Sequence, residues 1–223
     1  MKKLLSASLL LILLFGGLSS SRAQGSGMSL QNWKDILVGP MFTAGASVNA
    51  GPVSDGTKTG SKFAFTGGVL LTYPWSPQIA LDLGIGYESR GVNYHDQAND
   101  ANAIDLSLGY LAIRPELKLG GFIIGLCLGL PMSVGTTYSG TAKFASGSTP
   151  TSSEMPFLVE GRIGGDIVLS SSDGGQLHLL IGAGYPFTKL LNHSITVLDD
   201  TKDNGPLASA QLGLTYLFDL TPH

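Results

Sequence analysis

The sequence predicts an all-β protein: an eight-stranded antiparallel up-and-down transmembrane β-barrel. Three observations lead to this prediction: apolar and polar residues alternate along the segments, long and short connections alternate between them, and the composition is poor in charge and rich in glycine. Charged residues make up 13% of the chain and 31 residues are glycine, whereas about a quarter of the residues in an average soluble protein are charged. A chain with much of its surface in lipid is expected to have this composition.

The alternation is clearest in residues 79–94, IALDLGIGYESRGVNY, where every second side chain is large and apolar from Ile79 to Tyr87. A two-residue period places these side chains on one face of a β-strand and the small or charged ones on the other. The same period recurs in seven further segments. We expect strands at about residues 36–49, 63–75, 79–92, 104–119, 122–135, 157–169, 177–188 and 208–218.

The fourth segment is irregular, because Leu106 and Leu108 have even numbers whereas Leu111 and Ile113 have odd ones. A β-bulge near Gly109 would reconcile its two halves. Alternatively, the first half of this strand stands above the bilayer.

The connections alternate in length. Long polar loops are expected at residues 50–61, 93–103, 136–155 and 191–206, and short turns at residues 76–78, 120–121 and 171–175. Barrels of the outer-membrane type have short periplasmic turns and longer external loops. The alternation therefore predicts that both chain termini lie on the periplasmic side.

The polar faces of the strands are expected to line the lumen. A soluble lipocalin-type barrel is the alternative, but these faces consist mostly of small residues and a few charges of both signs, which suits a narrow filled interior. We expect Asp82 to pair with Arg114, and Glu160 and Arg162 to join the others through the lumen. A salt-bridged plug is favoured over a path for protons or small ions, because buried charges must be paired. The predicted lumen charge network comprises Asp82, Glu88, Arg90, Arg114, Glu116, Glu160, Arg162 and Asp166.

Aromatic residues near the predicted strand ends are expected to form girdles at the two lipid–water interfaces. Outer-membrane lipid is therefore an expected partner. The predicted girdle comprises Trp33, Tyr73, Trp75, Tyr87, Tyr185, Phe187, Tyr216 and Phe218. For Trp33, an ordinary packed position is the alternative.

The first 23 residues are expected to be a signal peptide cleaved near Ala23, because Lys2 and Lys3 precede an apolar run and small residues precede Gln24. The alternative is a retained membrane-spanning helix, which needs roughly 20 apolar residues. The run at residues 4–15 is shorter than that. Residues 24–34 then form a short periplasmic leader and residues 35–223 the barrel. Residues 213–218 look like the C-terminal signal that outer-membrane barrels present to their insertion machinery, an expected partner during assembly.

Charge and cysteine content argue against nucleic-acid binding and against an internal disulfide. Removing Lys2, Lys3 and Arg22 leaves 10 of the 13 basic residues against 16 acidic ones, so the mature chain carries a net charge near −6. Nucleic-acid binding would need clustered basic residues and is not expected. The single Cys127 cannot form an internal disulfide.

The histidines suggest an enzyme, because small barrels that edit lipid A use histidine, serine and acidic residues near the outer rim. Here His95 and His193 fall in predicted external loops, next to Asp96 and Ser194, and His178 faces the lumen at the periplasmic end. No nucleophile motif surrounds them and no paired His/Cys spacing exists. We therefore expect no catalytic residue, no cofactor and no metal site.

Three functions remain, in order. The first is a structural or accessory role in the cell envelope, as a barrel that is monomeric by default. The second is binding or adhesion through the four long loops, with an envelope protein or an extracellular ligand as partner. The third is a lipid A-editing enzyme.

Residues 110–118, YLAIRPELK, are followed by a turn and a strand in which glycine alternates with apolar residues. This stretch resembles the PorT-like outer-membrane β-barrel family, whose middle strand carries a Tyr-Leu-x-Ile-Pro-x-Leu-x-Lys core. Arg114 stands between Ile113 and Pro115, so the motif is shifted by one residue. The resemblance covers strands three to five in sequence and the mature chain in topology. It implies an integral outer-membrane barrel of a Gram-negative bacterium and no particular activity.

Overall fold

A computed structural model describes residues 36–142, 149–172, 174–192 and 203–220. These residues belong to one unit, Lys34–His223. The predicted signal peptide, the leader with Trp33, and the pair His193 and Ser194 lie outside the described residues. No helix among the described residues is long and apolar enough to cross a bilayer.

The described residues form eight antiparallel β-strands in a closed barrel, which confirms the predicted fold class. Each strand pairs with its neighbours in the chain, and the last strand pairs with the first. A 3₁₀ turn, Ser152–Glu154, lies between the fifth and sixth strands. The strands are β1 (Leu37–Asn49), β2 (Thr57–Ser76), β3 (Ile79–Asp96), β4 (Ala103–Leu119), β5 (Phe122–Ser139), β6 (Leu158–Ser172), β7 (Gly175–Pro186) and β8 (Leu207–Asp219).

The strands are staggered around the ring. A path that steps from each residue to its partner on the next strand leaves β1 at Leu37 and returns to it at Ser47, ten residues further along. The steps are Leu37, Thr72, Asp82, Glu116, Gly125, Arg162, Gly184, Ser209 and Ser47. Eight strands with this stagger tilt by about 40° from the barrel axis, the range of transmembrane barrels, whose outward apolar band is about 25 Å tall. About ten residues of each strand therefore suffice to cross a bilayer.

The outward face of β3 is apolar over one part of its length. Alternate side chains from Ile79 to Tyr87 are exposed large hydrophobic residues, whereas Asp82 and Glu88 on the opposite face are buried. Beyond Tyr87 the outward positions are occupied by serine, glycine, asparagine and histidine. The apolar band of β3 therefore ends near Tyr87, and in β4 it ends near Leu111.

In β4 the even-numbered side chains point inward along the whole strand, so β4 contains no bulge, contrary to the first of the two predictions. Leu106 and Leu108 are buried inside the barrel, and the pairing of β3 with β4 runs without a break. The register shift does lie near Gly109, but the extra residue is Met132 of β5, because Gly109 pairs with Ser133 and Tyr110 with Pro131. Val134 consequently packs against the interior rather than facing lipid as its number predicts.

The long connections have other bounds than predicted. β2 begins at Thr57 and β3 ends at Asp96, so the first two connections are residues 50–56 and 97–102 rather than 50–61 and 93–103. The other two are residues 140–157 and 187–206 rather than 136–155 and 191–206. Polar residues such as Lys58 and His95 pair in the sheet above the apolar band, where no face needs to be apolar and the alternation signal disappears.

Strands β2 to β5 continue beyond the ring as a four-stranded sheet, which we call the protruding sheet. β5 runs ten residues past Gly129, its last residue paired with β6. At the other side, β2 continues from Ser61 to Thr57 past Lys62, its last residue paired with β1. The protruding sheet comprises residues 57–61, 92–96, 103–106 and 130–139.

Candidate functional site: the filled interior

Six charged side chains form the middle of the interior, and we call them the central cluster. They come in pairs two residues apart on one strand, so each pair points to the same face. Glycines on that face leave the space they occupy: a Cβ added to Gly184 would lie 2.1 Å from Oε1 of Glu160, and one added to Gly125 would lie 2.7 Å from Cγ of Glu116. The members are Glu88 and Arg90 of β3, Arg114 and Glu116 of β4, and Glu160 and Arg162 of β6, all buried.

The central cluster is electrically balanced, since three guanidinium groups face three carboxylates. Arg90 donates from Nε to Glu88 at 2.7 Å and also bonds Glu160 across the lumen. Arg162 lies 3.0 Å from Glu160, 3.4 Å from Glu116 and 3.9 Å from Glu88. The expected association of Glu160 and Arg162 with Glu88 and Arg90 is thus present in the structure. Mutual pairing offsets the desolvation of these buried charges.

The predicted Asp82–Arg114 pair is wrong. Arg114 bonds Glu116 on its own strand at 3.1 Å, whereas Asp82 pairs with Lys118 at 3.1 Å. In the register of β3 and β4, Lys118 lies opposite Ala80 and Arg114 opposite Gly84, so Asp82 has a cation on each side. The predicted charge network does not include Lys118, although its even number already places it on the inward face of β4.

A second group, the turn-end cluster, lies toward the short turns and consists of Asp82, Lys118, Asp166 and His178. Lys118 bridges the two aspartates, at 3.1 Å from Asp82 and 2.5 Å from Asp166. Nδ1 of His178 lies 2.6 Å from Asp166, and its Nε2 lies 3.1 Å from the side-chain oxygen of Gln176. All eight residues of the predicted charge network are therefore buried, in two groups rather than one.

A small cavity of about 20 Å³ separates the two clusters, room for about one water molecule. Thr43, Asp82, Arg114 and Gln211 are among its lining residues. The side-chain oxygen of Gln211 accepts hydrogen bonds from Thr43 at 2.6 Å and Thr66 at 3.2 Å. The lumen is thus filled by side chains on this side of the central cluster.

Toward the long connections the interior is apolar, a feature that the alternation alone did not predict. The buried members of this loop-end apolar cluster are Val92, Tyr94, Ile104, Leu106, Leu108, Tyr110, Ala112, Cys127, Met155, Leu158, Leu190, Leu191 and Leu207. Leu190 and Leu191 belong to the connection between β7 and β8. They enter the barrel from its end and close it.

Hydrogen bonds hold this closing segment. The side chain of Asn204 accepts from the backbone N–H of Leu191 at 2.6 Å and donates to its carbonyl at 2.7 Å. The carboxylate of Asp203 accepts from the backbone N–H and the hydroxyl of Ser54, at 2.8 and 2.7 Å. The last connection is thereby joined to the first across the end of the barrel.

The described residues contain one group with metal-ligand spacing: Glu88, Cys127 and Glu160, whose ligand atoms all lie within 4.8 Å of one another. Its carboxylates already bond Arg90 and Arg162, so a metal ion would meet two guanidinium groups. The thiol of Cys127 donates a hydrogen bond to Glu88 at 3.4 Å. We assign this group to the packing of the interior.

The described histidines do not form a site at the outer rim. His178 lies at the opposite end, with both ring nitrogens against Asp166 and Gln176. His95 lies in the protruding sheet, opposite Lys58. Within the described ranges, the structure does not bring a serine hydroxyl to either histidine.

The described aromatic residues of the predicted girdle lie on the outside of the barrel. Trp75, Tyr87, Tyr185, Phe187 and Phe218 are exposed, and Tyr73 and Tyr216 are half-buried. An aromatic cluster in β1 to β3 was missed: Phe65 stacks on Phe42 and Phe63, with ring centroids 6.5 and 6.0 Å apart, and contacts Tyr87 at 6.0 Å. The cross-strand register brings these rings together, and the sequence alone does not give that register.

No protein-family model and no curated protein matches the chain. Among solved structures, it is similar to Ail, the attachment invasion locus protein of Yersinia pestis, with 10% identity over 82% of this chain and 98% of Ail and a TM-score of 0.41. Neisserial surface protein A is similar with 12% identity over 80% of this chain and 96% of that one, and a TM-score of 0.42. The outer membrane protein AlkL is similar with 13% identity, over 91% and 99%, and a TM-score of 0.42. Such low identities and TM-scores say nothing about function.

The barrel itself has an apolar exterior, a charged and filled interior, short turns at one end and long connections at the other. These are the properties of transmembrane β-barrels of the outer-membrane type, as in Gram-negative bacteria. Contact with membrane lipid follows directly from the exposed apolar band.

Proposed function

We propose that this protein is an integral outer-membrane barrel with a closed lumen and a structural or accessory role in the cell envelope. The short turns lie in the periplasm and the protruding sheet lies outside the cell. The mature chain begins after a signal peptide cleaved near Ala23, and the barrel-insertion machinery assembles it. Catalytic residues and cofactors play no part in this role.

The observation that supports a closed lumen is that two different barriers, one charged and one apolar, follow each other along the barrel axis. An ion entering from the periplasm passes the turn-end cluster and then meets the central cluster, where Arg90 and Arg162 already bind the carboxylates. Behind it stands the loop-end apolar cluster with Leu190 and Leu191, where an ion would lose its hydration shell without compensation. A proton or small-ion path would have to cross both.

Recordings from planar bilayers test this proposal. The purified barrel should give no steady conductance under conditions in which an open porin, inserted in the same bilayer, gives its full step. A stable open level from the barrel itself would contradict the closed lumen.

Binding through the external segments is the second candidate, and the protruding sheet favours it. The closed lumen gives no role to the four strands that continue past the ring, and a surface outside the lipid is accessible to a binding partner. This external surface contains longer strands than the sequence predicts, and its first two loops are shorter.

A lipid A-editing activity is the third candidate and has the least support, because His178 is at the periplasmic end and its ring is already occupied. Mass spectra of lipid A from cells with and without the gene should be identical. A missing or added acyl chain would contradict this expectation. Membership of the PorT-like family likewise stays a prediction, carried by the shifted motif in residues 110–118.

A further inference from the structure

The cavity between the central and turn-end clusters is bounded by two glycines that face each other in the sheet. Gly164 of β6 pairs with Gly182 of β7, and both line the cavity. Their even numbers place them on the inward faces of these strands. Because neither carries a side chain, the lumen keeps a space of about 20 Å³ at this level.

One buried side chain at this cavity has a hydrogen-bonding group without a partner among the described residues. Gln211 of β8 is 5% exposed and lines the cavity. Its Oε1 accepts from the hydroxyls of Thr43 and Thr66, whereas its Nε2 has no hydrogen-bond partner in the described part of the chain. Turning the amide over would put Oε1 in place of Nε2 and leave the same position without a partner. A buried polar group without a partner costs free energy, which favours a ligand that bonds it.

Charged groups line the same cavity from the other side of the ring. Asp82 belongs to β3 and Arg114 to β4, which lie three and four strands away from β8. The carboxylate of Asp82 pairs with Lys118 at 3.1 Å, but a carboxylate has about four sites that accept hydrogen bonds. The cavity thus offers an amide donor on one side and a carboxylate acceptor on the other.

The charges around the cavity decide what kind of ligand fits. A cation would meet two guanidinium groups and an anion would meet two carboxylates, so neither is favoured over the other. A space of about 20 Å³ holds about one water molecule, and a buried water makes two to four hydrogen bonds. A neutral molecule of the size of water therefore fits in volume, charge and hydrogen bonding. The charged lining residues are Asp82, Glu116, Arg114 and Arg162.

We propose that one water molecule is bound in this cavity as a permanent part of the barrel. It accepts a hydrogen bond from Nε2 of Gln211 and donates one to the carboxylate of Asp82. It thereby links β8 to the turn-end cluster across the lumen. A bound water goes beyond the closed lumen, which packed side chains provide by themselves.

Solid-state NMR of the full barrel in phosphatidylcholine bilayers tests for this water. Magnetisation that starts on water protons should pass at short mixing times to the Nε2 protons of Gln211. The side-chain amide of Gln78, in an exposed turn, is the positive reference. The backbone N–H of Ala112, in the loop-end apolar cluster, is the negative one. Gln211 should behave like Gln78, and Ala112 should show no transfer.

Matched variants locate the water. Gly182→Ala places a methyl group in the cavity, where its Cβ lies 3.4 Å from Nη2 of Arg162, an ordinary contact. This variant should abolish the transfer to Gln211. Gly67→Ala adds the same methyl group on the lipid-facing side of β2, where the nearest atom, in Phe42, is 3.9 Å away. It should leave the transfer unchanged.

A high-resolution crystal structure of the unmodified barrel is an independent measurement that does not depend on the folding of Gly182→Ala. It should show one density peak within hydrogen-bonding distance of both Gln211 and Asp82.

Four results would overturn the proposal: no transfer to Gln211, transfer that persists in Gly182→Ala, equal loss in both variants, or the absence of the density peak. Transfer to Ala112 as fast as to Gln211 would overturn it as well, because water would then fill the lumen as a column. The conductance recordings test the closed lumen separately, and loss of the bound water alone leaves their expected result unchanged.

Discussion

Leu83 and Gly84 are neighbours in β3 that face opposite environments. Leu83 is exposed on the apolar band, and Gly84 points inward with Arg114 and Met41 within ordinary contact of an added Cβ. Leu83→Arg should reduce the free energy of folding into vesicles by about 2–4 kcal/mol, because it places a charge in the lipid midplane. Gly84→Ser should have much less effect. Urea unfolding in vesicles measures both, and equal tolerance would mean that the faces are assigned backwards.

Arg90 is the residue on which the central cluster depends most, since it bonds both Glu88 and Glu160. Arg90→Met leaves two buried carboxylates without this partner and should cost about 3–5 kcal/mol of unfolding free energy. Lys62→Met removes the partner of Asp105 at the surface, 3.5 Å away, and should cost about 0–1 kcal/mol. Losses of similar size in urea titrations would show that the cluster is not a buried charge network.

At the scale of single residues, the period-two pattern predicted which residues point inward and which point to lipid. It could not predict the partners. Asp82 pairs with Lys118 rather than Arg114 because the register and the direction of each long side chain decide which cation reaches it. The same holds for Phe42, Phe63 and Phe65, whose contacts depend on strands that are distant in the sequence.

At the scale of elements, the closing segment between β7 and β8 depends on Asn204. Asn204→Ala removes both hydrogen bonds to Leu191 and should cost about 1–3 kcal/mol, because buried backbone groups lose their partners. Amide exchange in residues 188–191 should accelerate. Asn192→Ala removes one long contact to Ser153, 3.4 Å in length and exposed, and should change stability by less than about 0.5 kcal/mol. Unchanged exchange in the Asn204 variant would contradict the closing role.

The tip between β3 and β4 should depend on pH through Asp96. The backbone N–H of Ala98 donates to this carboxylate at 2.8 Å and Asn102 donates at 3.4 Å, and these bonds hold the pKa of Asp96 below its usual value. The stabilisation is complete above the unfolded pKa, about 3.9, and is lost as the pH falls through the folded pKa. Amide exchange of Ala98 followed by NMR should show this loss, which Asp96→Asn should abolish. Protection of Ala98 that persists below the carboxyl titration would contradict it.

The elements themselves were predictable where one face meets lipid, because alternation is then obligatory. Outside the lipid that constraint is absent, so the sequence pattern predicts loops for the outer parts of β2 and β3. In β4 the inward face changes from charged to apolar at Tyr110, and Leu106 and Leu108 therefore looked like lipid-facing residues out of register.

At the scale of the whole molecule, the orientation in the membrane is open to chemical labelling. Cys127 is buried, so single cysteines placed elsewhere report without interference. Gly56→Cys lies in the first long connection with free space around it, and Gln78→Cys lies in the exposed short turn between β2 and β3. A membrane-impermeant maleimide added to intact cells should label the first and not the second. The reverse pattern would invert the proposed orientation.

The extra residue Met132 has a consequence for how this chain tolerates insertions and deletions. Side chains alternate with a period of two, so a length change of one residue inside a strand reverses every face beyond it, whereas a change of two preserves them. Met132 is a one-residue insertion of this kind, and it turns Val134 inward just where β5 leaves the lipid and loses β6. Between Met132 and the short turns, the stagger is ten residues, an even number. The path around the ring therefore returns to a residue of β1 that points to the same face. Three further one-residue shifts lie in the described strands: one between Ser61 and Phe65 of β2, and one each at Trp75 and Leu169, beside the short turns. Single-residue length changes thus occur toward the ends of the apolar band in this barrel.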